Sequence, residues 1–303
     1  MVASTVIIWI LFYSLSPKFL GITNIGNIFI ASAAVGIMAV GIAFLLISGE
    51  FDLSVGPVFM IVPWVMLSAS TTLGLPLIAG FFIAMGVACL IGLCNAMITL
   101  KLKIPSFITT LGMMMLLAGI LLSVTGGYVV YYYGHSLLVD VLAGPIGNIR
   151  VSVIWMIVIG IIFSIILEFT KYGNRVYATG GDITIAKAMG VNVNRVKITN
   201  FILCSLLAGF AGCLTFARVV SITPVAAIEP TLVAMAAAVI GGCLLSGGHG
   251  SIIGTLIGAV LLTSVSSGLI LAGVSPYLYR GFVGGVLLLA AIINASVTRR
   301  AKG

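Results

Sequence analysis

The chain has 303 residues, of which 61% are hydrophobic, and it carries only 14 basic and 6 acidic side chains. Soluble domains are about 45–50% apolar and about one quarter charged, so this composition excludes an ordinary soluble protein. We predict an all-α integral membrane protein, because the apolar stretches are continuous and lack the two-residue alternation of barrel strands. Since each helical crossing takes about 20 residues, many crossings leave no room for a soluble catalytic domain.

Eight long stretches without charge set the number of predicted crossings. They are residues 1–17, 19–49, 53–100, 104–139, 151–167, 198–217, 230–279 and 281–298. The third and seventh are long enough for two crossings each, with turns predicted at 71–76 and 246–251, where glycine, proline and small polar residues cluster. The sequence thus predicts about ten transmembrane helices in a single domain, residues 1–303. The first crossing is the shortest, and a signal peptide over residues 1–16 is its alternative interpretation.

The placement of lysine and arginine predicts the orientation, because short cytoplasmic loops carry the basic excess. With the C-terminus in the cytoplasm, four basic residues lie outside: Lys18, Arg150, Arg218 and Arg280. The other ten lie inside: Lys101, Lys103, Lys171, Arg175, Lys187, Arg195, Lys197, Arg299, Arg300 and Lys302. The net charge of +8 therefore indicates topology rather than nucleic-acid binding. The five cysteines lie within apolar stretches, show no metal-ligand spacing, and are predicted to be small buried hydrophobic residues.

Residues 168–198 form the most charged segment, and the orientation places it in the cytoplasm. Asp182 is a good helix N-cap and Gly190 a good C-terminal stop, so about two turns of helix are predicted between them. Such a short helix is marginal alone and needs a surface to dock on. Ile183, Ala186 and Met189 share one face, which predicts an apolar stripe suited to a groove on another protein. A loop lying on the membrane surface is the alternative.

A short internal sequence similarity predicts two parallel structural repeats. Residues 45–49 read Leu-Leu-Ile-Ser-Gly and residues 244–247 read Leu-Leu-Ser-Gly, and each serine is followed eight residues later by a glycine. Both stretches join an inward crossing to an outward one, as parallel repeats in transporters do. Chance similarity is the alternative, since these residues are common in membrane helices.

Several polar residues at predicted span ends have two interpretations each. Asp52 is predicted to cap the following helix, whereas Glu50 is left open between a cytoplasmic partner and a lysine across the cavity mouth. His249, in a Gly-Gly-His-Gly turn beside Gly247, is predicted to be solvated, with contact to a partner as the alternative. Tyrosines 128 and 131–133 suit either an interfacial aromatic belt or a docking surface for an external protein.

The sequence favours neither an enzyme nor an ion-coupled carrier. No Gly-x-x-x-x-Gly-Lys-[Ser/Thr] phosphate loop is present. His135 and His249 are predicted on opposite sides of the membrane, with no acidic cluster beside them, so no metal or general-base site is expected. All six acids lie at span ends or in loops, whereas ion-coupled carriers place ionisable groups within the membrane.

Three motifs in collinear order resemble one known family. They are Ser-Gly-Glu-Phe-Asp-Leu-Ser-Val-Gly at 48–56, Tyr-Gly-Asn-Arg-Val-Tyr-Ala-Thr-Gly-Gly at 172–181, and Gly-Gly at 241–242 followed by Ser-Gly-Gly-His-Gly at 246–250. Together they look like the permease subunits of bacterial ABC importers for ribose, xylose, galactose and similar small molecules, and the similarity runs from about residue 30 to 294. One departure is Gly-Glu-Phe-Asp at 49–52, where the family commonly has Gly-Gly-Ile-Asp.

The resemblance implies the ABC importer permease fold in the bacterial inner membrane. It implies a second permease copy or paralogue, cytoplasmic ATPase subunits that hold ATP and Mg, and an external substrate-binding protein, while this chain itself binds no cofactor. It also implies that residues 182–190 are the coupling helix. The residues then assigned to the ATPase contact are Asp182, Ile183, Ala186, Lys187, Met189 and Gly190. Those assigned to the cytoplasmic hairpin motifs are Glu50, Asp52, Gly247 and His249. Those assigned to docking of the binding protein are Tyr131, Tyr132 and Tyr133.

We therefore expect an ATP-driven import permease for a monosaccharide or a similar small polar solute. The alternatives are a self-sufficient channel or facilitator and a permease of the same family for a nucleoside, polyol or signalling furanose.

Overall fold

The computed structural model describes residues 2–224 and 229–302, so Met1, residues 225–228 and Gly303 of the predicted domain lie outside it. Thirteen α-helices are found in the described part of the chain. They are α1 Val2–Leu15, α2 Ile22–Ile47, α3 Val55–Leu73, α4 Leu77–Lys101, α5 Ser106–Thr125, α6 Leu137–Ala143, α7 Val151–Phe169, α8 Lys171–Gly181, α9 Ile183–Ala188, α10 Val193–Val219, α11 Glu229–Ile240, α12 Ile252–Leu271 and α13 Pro276–Lys302. One turn of 3-10 helix, Pro17–Leu20, joins α1 to α2.

Seven of these helices are long and apolar enough to cross a membrane: α2, α3, α4, α5, α7, α10 and α12. Three shorter apolar helical segments, Val2–Leu15, Glu229–Ile240 and Tyr277–Leu289, overlap the other three predicted crossings but are too short to count as spans by themselves. The membrane-protein prediction is therefore confirmed in its class and in seven of its helices.

The two predicted turns inside the long apolar stretches are present. Gly74, with a φ of +65°, ends α3, and Pro76 precedes α4. A left-handed residue at this position is the usual glycine stop of a helix. The second break begins earlier than predicted, because α11 already ends at Ile240 and α12 starts at Ile252.

Helices α2 and α10 lie at the centre of the protein. In their apolar segments 78% and 61% of the residues are buried, against 22% in α5. Small residues allow the close packing: a β-carbon on Gly41 of α2 would lie 2.8 Å from the Cα of Cys204 in α10. Van der Waals packing of this kind associates membrane helices, for which lipid supplies no hydrophobic driving force.

Two short antiparallel strand pairs lie outside the helices. β1 Val130–Tyr131 pairs with β4 Ser221–Ile222, and β2 Pro145–Ile146 pairs with β3 Ile149–Arg150. The first pair joins the tyrosine-rich segment at 128–133 to the residues that follow α10.

Two expectations need correction. The predicted loop at 168–198 is almost wholly helical, since α8 and α9 fill it and Thr170 caps α8 by accepting from the amides of Tyr172 and Gly173. Among the cysteines, Cys94 is exposed on α4 and Cys89 is half-buried, whereas Cys204, Cys213 and Cys243 are buried as predicted. Apolar sequence on an outer helix does not distinguish the protein side from the lipid side.

Candidate coupling site

The predicted caps of the short helix α9 are confirmed. The Asp182 carboxylate accepts hydrogen bonds from the amides of Thr184 and Ile185, at 2.7 and 3.0 Å. Gly190 has a φ of +78°, and its amide donates to the Lys187 carbonyl at 3.0 Å. These contacts satisfy donors and acceptors that a two-turn helix leaves unpaired at its ends.

The exposed face of α9 differs from the predicted stripe. Ala186 is only 1% exposed and faces the protein, so its placement on an exposed apolar stripe is wrong. The exposed apolar side chains are Ile183 at 43%, Ile185 at 59% and Met189 at 74%, and Lys187 is exposed beside them. Helical spacing showed which residues share a face, but Ala186, the smallest of the apolar residues, is the one that seats α9 on its own chain.

The three motifs that carry the family resemblance meet at one place, although they are far apart in the sequence. We call Gly49, Gly180, Gly247 and Gly248 the glycine cluster. A β-carbon on Gly180 would collide with the carbonyl oxygen of Ile47 and come within 2.6 Å of the Gly248 amide nitrogen. A β-carbon on Gly247 would lie 2.9 Å from the Gly180 carbonyl oxygen and 3.1 Å from the Cα of Gly49. Only residues without a β-carbon allow the three backbones to approach so closely.

Two hydrogen bonds hold the glycine cluster together. The Gly248 amide donates to the Ile47 carbonyl at 2.8 Å, which joins the 241–251 loop to the end of α2. The Tyr177 hydroxyl donates to the Gly250 carbonyl at 2.8 Å, which joins α8 to the same loop. Because α8 leads directly into α9, one continuous segment of the chain contacts both loops.

A buried ion pair lies beside the cluster. The Lys197 ammonium, in the second turn of α10, donates to the Glu50 carboxylate at 2.5 Å, and the two side chains are 8% and 11% exposed. Of the two possibilities left open for Glu50, the structure shows contact with a lysine. Asn200, one turn further along α10, donates to the Phe44 carbonyl at 3.0 Å and accepts from the Tyr172 hydroxyl at 2.6 Å. The start of α10 is thus tied to both α2 and α8.

Asp52 makes the capping contact predicted at Ser54, although α3 itself begins one residue later, at Val55. Its carboxylate accepts from the amide and hydroxyl of Ser54, at 2.8 and 2.6 Å, and from the Asn95 amide at 3.3 Å. The first turn of α3 is also bonded to α11, since the Thr231 hydroxyl accepts from the Gly56 amide at 2.8 Å. A tertiary partner therefore satisfies a further unpaired donor at this helix end.

Burial raises the pKa of Asp52 to about 6, against the opposing effect of its hydrogen bonds from Ser54 and Asn95. Asp52 is 1% exposed, and desolvation disfavours the charged form of a carboxyl group. In the same loop Phe51 and Leu53 are half-buried, and the Ser106 hydroxyl accepts from the Phe51 amide at 3.1 Å. Non-helical backbone is thus satisfied inside the protein, as a membrane requires.

The remaining candidate residues are divided between exposed and enclosed positions. His249 is exposed while Gly247 is buried. Tyr131 and Tyr133 are 57% and 90% exposed, but Tyr132 is half-buried and packs on Phe216 with ring centroids 6.0 Å apart. Across the described residues, no group of three or more His, Cys, Asp or Glu side chains is placed to hold a metal ion.

Sequence reasoning missed Lys197, Asn95 and Thr231. Lys197 had a signal, because it is the last charge before an apolar stretch and was placed on the same side as Glu50. Asn95 and Thr231 had none, since single polar residues are common in apolar helices and their partners are more than 40 positions away.

Comparisons with known proteins identify relatives of the chain. Residues 24–291 match a family described as the branched-chain amino acid transport system / permease component. The ribose import permease protein RbsC of Escherichia coli (strain K12) is 36% identical over 290 residues, covering 92% of this chain and 88% of the relative. The probable ABC transporter permease protein YphD of the same strain is 34% identical, covering 98% and 89%.

The xylose/arabinose import permease protein XylH of Sulfolobus acidocaldarius is 32% identical, covering 95% of this chain and 82% of the relative. No solved structure matches the chain. The family match spans most of the chain and the named relatives match it nearly end to end, so the chain belongs to the branched-chain amino acid transport system / permease component family.

Proposed function

We propose that the chain is the transmembrane permease subunit of an ATP-driven ABC importer for a monosaccharide. Membership in a permease family and relatives named for ribose and for xylose/arabinose import support this function. The structural observation that carries it is the exposed, doubly capped helix α9, whose neighbour α8 packs directly on two other loops through the glycine cluster.

The proposal assigns ATP hydrolysis to a separate cytoplasmic subunit, which holds ATP and Mg. The sequence has no phosphate-binding loop, so the driving force must reach this chain through contact. Ile183, Ile185 and Met189 offer apolar side chains to a groove, and Lys187 adds a positive charge at its edge. An amphipathic helix in a groove is a common recognition mode.

The proposed mechanism is mechanical. The ATPase moves α9, and α8 transmits the displacement through the glycine cluster to the loops at 48–54 and 241–251. The Glu50–Lys197 pair makes the start of α10 move with the first loop. Rocking of packed helices about a central path is the usual basis of alternating access in transporters.

The finer architecture belongs to the same proposal. It has ten crossings, with α1, α11 and α13 added to the seven long helices, and a cytoplasmic C-terminus. It also has two parallel repeats, supported by the two helix–loop–helix units α2–α3 and α11–α12, whose loops both contact Gly180. A second permease subunit completes the membrane assembly, and an external binding protein docks near the exposed Tyr131 and Tyr133.

The coupling role is tested with the variants Ile185→Glu and Met189→Glu. Each places a charge in the proposed groove without disturbing the interior, because both side chains are exposed. We expect loss of co-purification with the ATPase and loss of ATP-driven uptake. Leu137→Glu is the control, because Leu137 is 81% exposed on α6 at the predicted outer side, and it leaves ATPase association unchanged. Normal ATPase association in both α9 variants would contradict the proposal.

A further inference from the structure

A cavity of about 380 Å³ lies where the first two turns of α8 and of α10 come together. Its size is within the range of about 300–1,000 Å³ that ligand pockets occupy. Tyr172 and Arg175 line it from α8, and Asn192, Arg195 and Thr199 line it from the cap and first turns of α10. Both arginines are exposed, so the cavity is open to solvent.

Arg175 and Arg195 bring two positive charges to this cavity without a carboxylate to balance them. No aspartate or glutamate of the described part of the chain lines it. The acids nearest in the sequence are Glu168 and Asp182, and the Asp182 carboxylate is occupied in capping α9. Neither guanidinium makes a hydrogen bond or an ion pair within the described ranges. The basic excess of the cytoplasmic side explains why both arginines lie there, but not why they share an acid-free cavity.

The start of α10 adds further donors to the same wall. The Asn192 side-chain oxygen accepts from the Arg195 amide at 3.0 Å, while its side-chain nitrogen has no hydrogen bond to another residue that the structure describes. The N-terminal end of a helix favours an anion and disfavours a cation such as Arg195. A bound anion would therefore relieve both this interaction and the repulsion between the two guanidinium groups.

The chain places the cavity near the membrane surface. Ile165 and Phe169, in the last turns of α7, are 50% and 79% exposed, so the apolar outer surface of α7 extends to its end. Tyr172 follows shortly afterwards and lines the cavity. In the proposed orientation this is the cytoplasmic leaflet, where basic pockets beside membrane helices bind the phosphate-bearing head groups of anionic lipids.

We propose that this cavity binds a phosphate group, with Arg175, Arg195 and the Asn192 side-chain nitrogen as its donors. Guanidinium groups suit this ligand, because their paired N–H donors match two phosphate oxygens at once. The head group of an anionic phospholipid and a free phosphate anion share this chemistry. Either one bridges α8 to α10 beside the coupling helix. The site goes beyond the proposed function, because binding there requires neither transport nor the ATPase.

The test uses the full chain, purified in detergent, depleted of lipid and free of the ATPase. One arm adds phosphatidylglycerol, with phosphatidylcholine as the uncharged comparison, and counts bound lipid by native mass spectrometry. The other arm adds inorganic phosphate and follows the shift of the unfolding midpoint. We expect a saturable site in one of the arms, with about tenfold weaker binding in Arg175→Gln and in Arg195→Gln, since each loses a charge-assisted hydrogen bond. Lys101→Gln removes an exposed charge at the end of α4 on the same predicted side, and as the control it binds like wild type.

Arg195→Lys separates a guanidinium site from general attraction to positive charge. It keeps the charge but loses the paired donors, so its affinity should lie between those of wild type and Arg195→Gln. Because the arginines have no partners within the described ranges, all variants should unfold at the wild-type midpoint when no anion is present.

Binding of phosphatidylglycerol alone supports the site with a lipid head group as its source, and a midpoint shift with inorganic phosphate supports it with the free anion. Equal affinity of wild type and both glutamine variants, or binding of neither probe, would overturn it. Loss of ATPase association in the arginine variants without any anion binding would also overturn it and would identify a contact for acidic side chains of the ATPase. None of these results depends on sugar uptake, so the permease function stands or fails separately.

Discussion

Removing one partner of the buried Glu50–Lys197 pair is expected to destabilise the protein strongly. At 2.5 Å and an effective dielectric constant of about 20, the attraction between the two charges is about 7 kcal/mol. Desolvation of each ion costs several kcal/mol, so the net contribution of the intact pair is small. When one partner is removed, the remaining charge still carries its desolvation cost but no longer has the attraction that offsets it.

Glu50→Gln and Lys197→Met should therefore each lower the free energy of unfolding by about 3–5 kcal/mol. The double variant Glu50→Gln/Lys197→Met leaves no buried charge and should be closer to wild type than either single variant. Equilibrium unfolding of the purified chain in detergent micelles measures all four proteins, and the double-mutant cycle gives the coupling energy.

The exposed pair Glu229–Arg280 is the matched control. Its partners are equally close, at 2.6 Å, but their side chains are 40% and 63% exposed. Solvent screens such a pair, so the same cycle there should give a much smaller coupling energy. Additive effects of Glu50→Gln and Lys197→Met would refute the reasoning, because they would show that the two charges do not interact.

Two further predictions concern Asp52 and the glycine cluster. The pKa of Asp52 rises from 3.8 to about 6 in the folded protein, because the buried carboxyl group is more stable when protonated. The stability that this protonated group contributes is fully present below pH 3.8 and is lost as the pH rises through about 6. A pKa shift of about two units corresponds to about 3 kcal/mol. Asp52→Asn should therefore raise the unfolding midpoint above that of wild type, and by more at pH 7 than at pH 5. An equal difference at the two pH values would contradict this. Gly180→Ala should destabilise by about 1–3 kcal/mol through overpacking and reduce uptake. Gly181→Ala should be near neutral, because a β-carbon there meets nothing within 4 Å. Equal effects of Gly180→Ala and Gly181→Ala would argue against the close backbone approach at Gly180.

The sequence predicts those features that depend on local chemistry. Continuous apolarity identifies membrane helices, glycine and proline mark the break at 74–76, and the cap at Asp182 and the stop at Gly190 bracket α9. Each of these signals lies within a few residues of the element it specifies. They indicate class and boundaries because the unpaired groups of a helix end are satisfied nearby.

Tertiary contacts limit what could be predicted at the site. Gly49, Gly180 and Gly247 are each ordinary in a membrane protein, and their close approach becomes visible only in the folded structure, where α8 meets the two loops. The Gly56 amide is satisfied by Thr231, which lies 175 positions away in the sequence and on another helix. The orientation of α9 was also undetermined, since apolar residues occupy both of its faces.

ATP-dependent uptake by the complete complex tests the central claim most directly. The chain is reconstituted in liposomes with its ATPase, and the external binding protein is loaded in turn with each member of a panel of monosaccharides. The permease function predicts accumulation of one sugar above its outside concentration only when ATP and Mg are supplied on the ATPase side. Equilibration of the sugar at the same rate without ATP or without the ATPase would contradict it and would identify a facilitator.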